Sequence, residues 1–145
     1  SNTSPNELRL KIGSIFPLAN NRSLQIMLQS FSFRSGSLTG LDMVFDCRFL
    51  KNPNWVNDLK DLNGTDDDVK DFLNNDESWV PFKKNLLQML SIIIPAFERE
   101  GKSYLSIGLG CTGGQHRSVF VAEQLYTHLL DEKHDVKYLH TNLQK

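Results

Sequence analysis

The hydrophobic and polar positions of the chain first alternate with the period of a strand. Residues 8–12 alternate between Leu or Ile and a basic residue, which predicts a half-buried strand, and residues 20–23 predict a turn. Alternation resumes at Leu24, and its phase slips by one position at Phe31, which predicts a second strand containing a bulge. Because a turn joins these two strands, the sequence predicts a hairpin and therefore a sheet of mixed strand directions.

Further along the chain, predicted strands alternate with predicted helices. We expect strands at 43–49, 104–109 and 136–139 and helices at 65–74, 78–100 and 117–132, with Pro95 kinking the longest helix or splitting off its last turn. Asp46 and Arg48 would share one face of their strand, because side chains repeat every second residue. This order predicts an α/β fold with a mixed sheet, formed as a single domain over residues 1–145 with a flexible start at 1–7. We expect Trp55 and Trp79 to lie in its core rather than to act as platforms for base stacking.

The segment 110–118 is rich in glycine and lies between a predicted strand and a predicted helix. Gly110, Gly113 and Gly114 permit positive φ, and successive N–H groups of such a loop form a concave site for an anion. The helix that follows directs its unpaired N–H groups to the same place. The polar side chains that add hydrogen-bond donors are those of Thr112, His116, Arg117 and Ser118. This glycine-rich loop is therefore predicted to bind a phosphate-like anion.

The same segment also fits the pattern Cys-x5-Arg followed by Ser, which is the signature of cysteine-dependent phosphatases. A helix N-terminus and a neighbouring cation would activate Cys111 as a nucleophile, with Arg117 holding the phosphate oxygens. Gly110 stands where such enzymes usually carry His, and no motif ties an Asp to the role of general acid. Asp66 is better explained as a helix cap, and Asp46 as an orienting partner for an arginine. Binding and catalysis both remain open.

Composition and charge narrow the class of protein. The 145 residues carry a formal net charge of -1, which gives the whole molecule no general attraction to nucleic acid or anionic lipid. The longest apolar stretch, 86–97, is too short for a membrane span, so no membrane partner is expected. With only two cysteines and no apolar leader, we expect reduced thiols and a cytoplasmic location. No Cys or His spacing indicates a metal, and neither a metal nor a cofactor is expected.

Several linked motifs resemble a known family. The stretches at 110–119 (GCTGGQHRSV), 44–55 (VFDCRFLKNPNW), 99–105 and 122–125 occur in the order found in the C-terminal domain of the RapZ family of RNase adapter proteins. The resemblance covers the chain from about Ser30 to its end. In that family an N-terminal Walker-type ATP-binding domain precedes this one. Here Gly101-Lys102-Ser103 follows a helix and precedes a strand, which is the wrong order for a nucleotide-binding P-loop, so ATP binding is not expected.

The resemblance implies a regulatory domain that senses glucosamine-6-phosphate, an amino-sugar phosphate. It also implies a small RNA and an RNase as partners, assembly into a homo-oligomer, and contacts to RNA from the basic tail. The candidate ligand-binding residues, from loop chemistry and resemblance together, are Asp46, Arg48, Gly110, Cys111, Thr112, Gly113, Gly114, His116, Arg117 and Ser118. The candidate RNA-binding residues are Lys133, Lys137, His140 and Lys145. The sequence thus favours a binding domain over an enzyme, with the phosphatase as the alternative.

Overall fold

A computed structural model describes residues 24–36 and 38–143 of the chain. In chain order, its elements are β1 (Gln25–Ser32), β2 (Met43–Asp46), a 3-10 turn (Pro53–Trp55), α1 (Asp67–Asn74), α2 (Trp79–Arg99), β3 (Tyr104–Cys111), α3 (Arg117–Asp131) and β4 (Asp135–His140). The predicted α/β fold is confirmed. The predicted strand at 8–12, the turn at 20–23 and the flexible start at 1–7 lie outside the described residues.

The strands form one sheet in the order β2-β3-β1-β4, and every pairing between them is parallel. The expectation of a mixed sheet rested on a hairpin whose first strand lies outside the described residues. Because the strands are parallel, their carboxyl ends meet at one edge of the sheet. Ligands of open α/β sheets bind at this edge, so it is the place to look for a site.

The bulge predicted near Phe31 is wrong. β1 pairs with β3 in unbroken register from Gln25 opposite Tyr104 to Ser32 opposite Cys111. β1 lies between β3 and β4, and Ile26, Met27 and Leu28 are consecutive buried residues. A strand that is buried on both faces does not need to alternate hydrophobic and polar residues. The shift in that pattern at Phe31 therefore does not indicate an irregular backbone.

The helices and the first crossover loop lie on opposite faces of the sheet. Leu105, Ile107 and Leu109 of β3 belong to one hydrophobic core together with residues of all three helices. Gly108 points to the other face, where the loop between β1 and β2 passes so close that a Cβ on Gly108 would lie 2.5 Å from Cδ1 of Leu41. Right-handed crossovers explain why the loop and the helices lie on opposite faces. The connection from β1 to β2 crosses the sheet in the opposite direction to the later connections, so it passes over the other face.

Two other boundaries differ from the prediction or refine it. β2 ends at Asp46 rather than 49. The N–H of Cys47 still bonds to the carbonyl of Gly110 (2.8 Å), but the carbonyl of Cys47 accepts a turn bond from Leu50 (3.3 Å), which turns the chain away from β3. α2 runs through Pro95 to Arg99 without losing its last turn, and Gly101 ends it with φ +83°. Among the described helices, none has the combined length and apolar character that a membrane crossing requires.

Candidate anion-binding site

The loop between β3 and α3 forms one wall of a cleft at the carboxyl edge of the sheet. The cleft has a volume of about 230 Å³. Its lining residues are Arg34, Asn52, Asn54, Lys60, Cys111, Thr112, Gly113, Gln115, His116 and Arg117. They include three cationic side chains and, among the residues that the structure describes, no carboxylate. The cleft is therefore electrostatically suited to an anion.

The backbone of the loop contributes uncommitted donors to this cleft. The N–H groups of Thr112, Gly113 and Gly114 have no hydrogen-bond partner within the described part of the chain. The loop is held from behind, because Ser32 donates its hydroxyl to the carbonyl of Thr112 at 2.7 Å. α3 begins directly afterwards and has no side-chain cap, so its positive end and first N–H groups face the same region.

The three glycines of the motif have different roles. Only Gly114 adopts positive φ (+72°), and a Cβ there would lie 3.1 Å from the backbone nitrogen of Ser32. Gly110 is still part of β3, and a Cβ on it would collide with the rings of Phe31 and Phe33 at 2.6 to 2.8 Å. Gly113 has open space around it and no positive φ. Of the three glycines that permit positive φ, only Gly114 uses this freedom, whereas Gly110 is required for packing.

Arg117 is buried, with 5% of its surface exposed, and its guanidinium is fixed. Nη1 donates to the carbonyls of Arg48 (2.8 Å) and Leu50 (3.0 Å), and Nη2 donates to Oγ1 of Thr112 (3.3 Å). Nε is buried and has no partner among the described residues. Because a buried donor without a partner is costly, an anion that placed two oxygens at the edge formed by Nε and Nη2 would remove that cost.

Cys111 and Ser118 are both buried at the base of the loop, and only Cys111 also lines the cleft. The two side chains are 2% and 0% exposed, and Sγ of Cys111 is 3.1 Å from Oγ of Ser118. Ser118 therefore contacts the cysteine, and we place it as a support rather than as a donor to the ligand. The other thiol, Cys47, is fully buried, and this burial raises its pKa, which keeps it protonated and unreactive.

The ring of His116 is 8% exposed, and its buried Nε2 has no hydrogen-bond partner within the described residues. Burial lowers the pKa of His116, although the backbone carbonyls of Leu62, Leu59 and Lys60 act in the opposite direction. The neutral imidazole is thus favoured at neutral pH. His116 contributes at most one neutral donor to an anion and no charge.

Asp46 and Arg48 form a pair at the rim. Their side chains are joined at 2.6 to 3.1 Å, and the hydrogen bond from Arg48 holds the pKa of Asp46 below its ordinary value. The Arg48 guanidinium also lies over the ring of Phe33, at 4.3 Å from its centroid. Neither residue lines the cleft itself, although the Arg48 backbone holds Arg117 there. The interpretation of Asp46 as an orienting partner of an arginine agrees with this geometry.

Of the candidate RNA-binding residues, the three that the structure describes do not line the cleft. Lys133 is exposed at the turn between α3 and β4, at the opposite edge of the sheet, and Lys137 is exposed on β4. Both ring nitrogens of His140 have partners, Oγ of Ser30 at 2.7 Å and Oε2 of Glu123 at 3.1 Å. Lys145 lies outside the described residues.

Sequence reasoning missed five residues of the cleft. They are Arg34, Asn52, Asn54, Lys60 and Gln115. Arg34 comes two residues after the end of β1, so the rule that sites form at carboxyl ends of parallel strands could have found it. Gln115 lies in the predicted glycine-rich loop itself, and Asn52, Asn54 and Lys60 approach through a turn and a loop whose path no periodic pattern reveals.

A second groove adjoins the cleft. It has a volume of about 420 Å³ and is lined by Arg48, Phe49, Leu50, Lys51, Asn52, Trp55, Thr112 and Arg117. Trp79 is buried as expected, but the prediction that Trp55 lies in the core is wrong, because it is 84% exposed. The buried Pro53 and the side chain of Asn52 fix the 3-10 turn at an angle that projects the indole outward.

Comparison with known proteins agrees with the motifs of the loop. A family model described as the RapZ C-terminal domain matches residues 24–144. A nucleotide-binding protein of Cereibacter sphaeroides is 42% identical over 145 residues, which are 100% of this chain and 48% of that protein. A nucleotide-binding protein of Dinoroseobacter shibae is 43% identical over the same length and share. One of Shewanella halifaxensis is 43% identical over 86% of the chain and 44% of its own length. The chain thus spans about half the length of these curated relatives.

Proposed function

The chain belongs to the RapZ C-terminal domain family, and on that premise we propose that its cleft binds a phosphorylated small molecule as a regulatory ligand. The observation that carries the proposal is the buried Arg117, whose Nε has no partner among the described residues. Thr112 and Gly113 line the same cleft, and their N–H groups, like that of Gly114, have no hydrogen-bond partner among the described residues. A tetrahedral oxyanion satisfies these donors together, which neither water nor a neutral ligand does as completely.

Within that class, the ligand that we propose is an amino-sugar phosphate such as glucosamine-6-phosphate. Its phosphate would take the donors of the loop and of Arg117, whereas its hydroxyl and amino groups would meet the amide side chains of Asn52 and Asn54. Because Arg34 and Lys60 are cationic, the phosphate supplies most of the affinity and the amides supply discrimination between sugars.

Calorimetry with matched sugars tests this proposal. Glucosamine-6-phosphate and glucose-6-phosphate should bind the 145-residue chain, and glucosamine without phosphate should not. The variant Arg34→Gln should weaken both phosphorylated sugars, since it removes a charge from the cleft without touching the fold. Equal binding of glucosamine and its phosphate, or no binding of either, would contradict the proposal.

We also propose that the domain acts as an RNA-binding and RNase adapter module, working as a homo-oligomer in the cytoplasm. Membership of the family and the exposed Lys133 and Lys137 support RNA binding. The unpaired thiols of Cys47 and Cys111 support a cytoplasmic location. RNA binding of this kind should fall steeply with salt and should weaken in Lys133→Ala and Lys137→Ala. Binding that is indifferent to salt and to both substitutions would exclude these lysines as the RNA contact.

One observation favours a second candidate, a cysteine-dependent phosphatase. Cys111 lines the cleft, Sγ lies within 3.1 Å of a hydroxyl that can donate to a thiolate, and Arg117 faces the same space. Among the described residues no carboxylate lines the cleft, so a general acid for the leaving group is missing there. Hydrolysis of an aryl phosphate that disappears in Cys111→Ser would establish the enzyme. Absence of turnover in the unaltered chain leaves the binding domain.

A further inference from the structure

We infer that the groove beside the anion cleft is a stacking subsite for a nucleobase, so that the cleft and groove together take a nucleoside phosphate in addition to the amino-sugar phosphate proposed for the cleft alone. This ligand could be a free nucleotide or the phosphorylated end of an RNA strand, because both present the same phosphate, sugar and base. The inference rests on the proposed function, since the phosphate of such a ligand occupies the cleft already described.

The cleft and the groove are adjacent. Asn52, Thr112 and Arg117 line both of them, so the two spaces meet along these residues. Their volumes, about 230 Å³ and 420 Å³, leave room for more than a sugar phosphate. A ligand whose phosphate is held at Arg117 would extend from there across the boundary into the groove.

Trp55 gives the groove a flat apolar surface. The residue is 84% exposed, which is unusual for the largest apolar side chain. Its backbone is held in the turn, because the N–H of Trp55 bonds to the carbonyl of Asn52 at 3.2 Å and Pro53 beside it is buried. Only the two side-chain torsions of the indole then need to be ordered when a second ring stacks on it, so the entropy cost of stacking is small.

Phe49 adds a second aromatic wall. It is 46% exposed, and its inner edge is fixed by an edge-to-face contact with Phe82, with ring centroids 4.7 Å apart. An amino sugar has no aromatic face to match these walls. A nucleobase does, and every base has one, so stacking here would tolerate different bases.

The charges around the groove favour the same ligand over an apolar protein partner. Arg48 and Lys51 line the groove next to Arg117, and no carboxylate lines it among the described residues. Asp46 is already engaged by Arg48, and Asp76 by the backbone N–H of Lys51. Aromatic surfaces interleaved with cations are typical of sites for single-stranded nucleic acid and nucleotides.

The experiment compares ligands that differ by one component. Uridine 5′-monophosphate and ribose 5-phosphate share phosphate and sugar, and uridine lacks the phosphate. Calorimetry on the 145-residue chain should give an affinity about tenfold higher for the nucleotide than for ribose 5-phosphate, because stacking adds to the phosphate contacts. Trp55→Ala should abolish that advantage, whereas Trp55→Phe should keep most of it. The control Ile92→Ala changes another exposed apolar side chain, on α2, and should change nothing.

The outcomes separate this inference from the proposed function. If ribose 5-phosphate binds as well as the nucleotide, or if Trp55→Ala weakens both equally, the stacking subsite is wrong and the phosphate site stands. If neither phosphorylated ligand binds, both proposals fail. Short oligouridines with a 5′-phosphate or a 5′-hydroxyl distinguish the two sources: a preference for the phosphorylated strand that depends on Trp55 identifies an RNA end as a ligand.

Discussion

The two ends of α3 carry cavities of similar size and opposite chemistry. At its N-terminus lies the cationic cleft of about 230 Å³, and near its C-terminus lies a cavity of about 280 Å³ between α2 and α3. The second cavity has an apolar floor of Leu87, Leu90, Ile94 and Leu129. There the carbonyl groups that end α3 are bonded locally, as in the bond from Glu132 to His128. Size alone therefore does not identify a site, whereas unpaired donors and uncompensated charge do.

The largest expected changes in the free energy of unfolding come from one substitution of a buried residue at each end of α3. Arg117→Ala removes the donors to two backbone carbonyls and should lower the free energy of unfolding by about 3 kcal/mol, with loss of phosphate binding. Leu129→Ala enlarges the apolar cavity and should cost a similar amount, roughly 2 to 5 kcal/mol, with phosphate binding unchanged. Urea unfolding and calorimetry with inorganic phosphate measure the two quantities. Loss of phosphate binding in Leu129→Ala would break the comparison.

A matched pair of glycines gives the next largest effect. Gly114→Ala introduces a Cβ at φ +72°, with atoms 3.0 to 3.1 Å away, and should destabilise the protein by about 1 to 3 kcal/mol. Gly113→Ala meets open space at ordinary φ and should leave stability within about 0.5 kcal/mol. Thermal and urea denaturation compare them. Equal costs would mean that the backbone of the loop differs from the one described.

The difference in charge between the two ends of α3 predicts a smaller effect, on the affinity for phosphate. Lys60→Ala removes a cation from the cleft and should weaken phosphate binding several-fold, more so at low salt than at high salt. Lys133→Ala removes a cation beyond the other end of α3 and should leave the dissociation constant of phosphate unchanged. Calorimetry at two salt concentrations tests both. An equal loss in the two variants would indicate that net charge, rather than the cleft, controls binding.

The smallest effect concerns His116. Its pKa is lowered in the folded state, so the unfolded chain takes up a proton first as the pH falls below the ordinary value of 6.5. Its contribution to stability is therefore present above pH 6.5 and declines between that value and the folded pKa. In His116→Gln the dependence of unfolding free energy on pH over this range should be shallower. An unchanged slope would contradict the contribution assigned to His116.

The sequence predicted those elements whose patterns are periodic and locally terminated. α2 begins within one residue of the predicted start, with Pro81 in its first turn, and it ends just before Gly101, because these signals act on the backbone directly. β1 shows the opposite case, since burial on both faces removed the alternation that would have fixed its phase. The prediction that Trp55 lies in the core failed for a related reason. Hydrophobicity predicts burial only when the local backbone turns the side chain inward.

The site was predictable in its loop and not in its surroundings. Local sequence placed Thr112, Gly114 and Arg117 together, because a strand, a glycine turn and a helix start are consecutive there. The register of β2 against β3 brings the carbonyls of Arg48 and Leu50 onto Arg117, and that long-range contact has no local signature. The same holds for Lys60, which reaches the cleft from the segment packed over the start of α3.

The most direct test of the account is a titration of the 15N-labelled chain with inorganic phosphate, followed through its amide resonances. The central claim predicts saturable shifts of Thr112, Gly113, Gly114 and Arg117, a shift of the Arg117 Nε–H resonance, and no shift at Leu87, Leu90 or Leu129. Absence of saturable shifts in the loop, or equal shifts at both ends of α3, would contradict the claim.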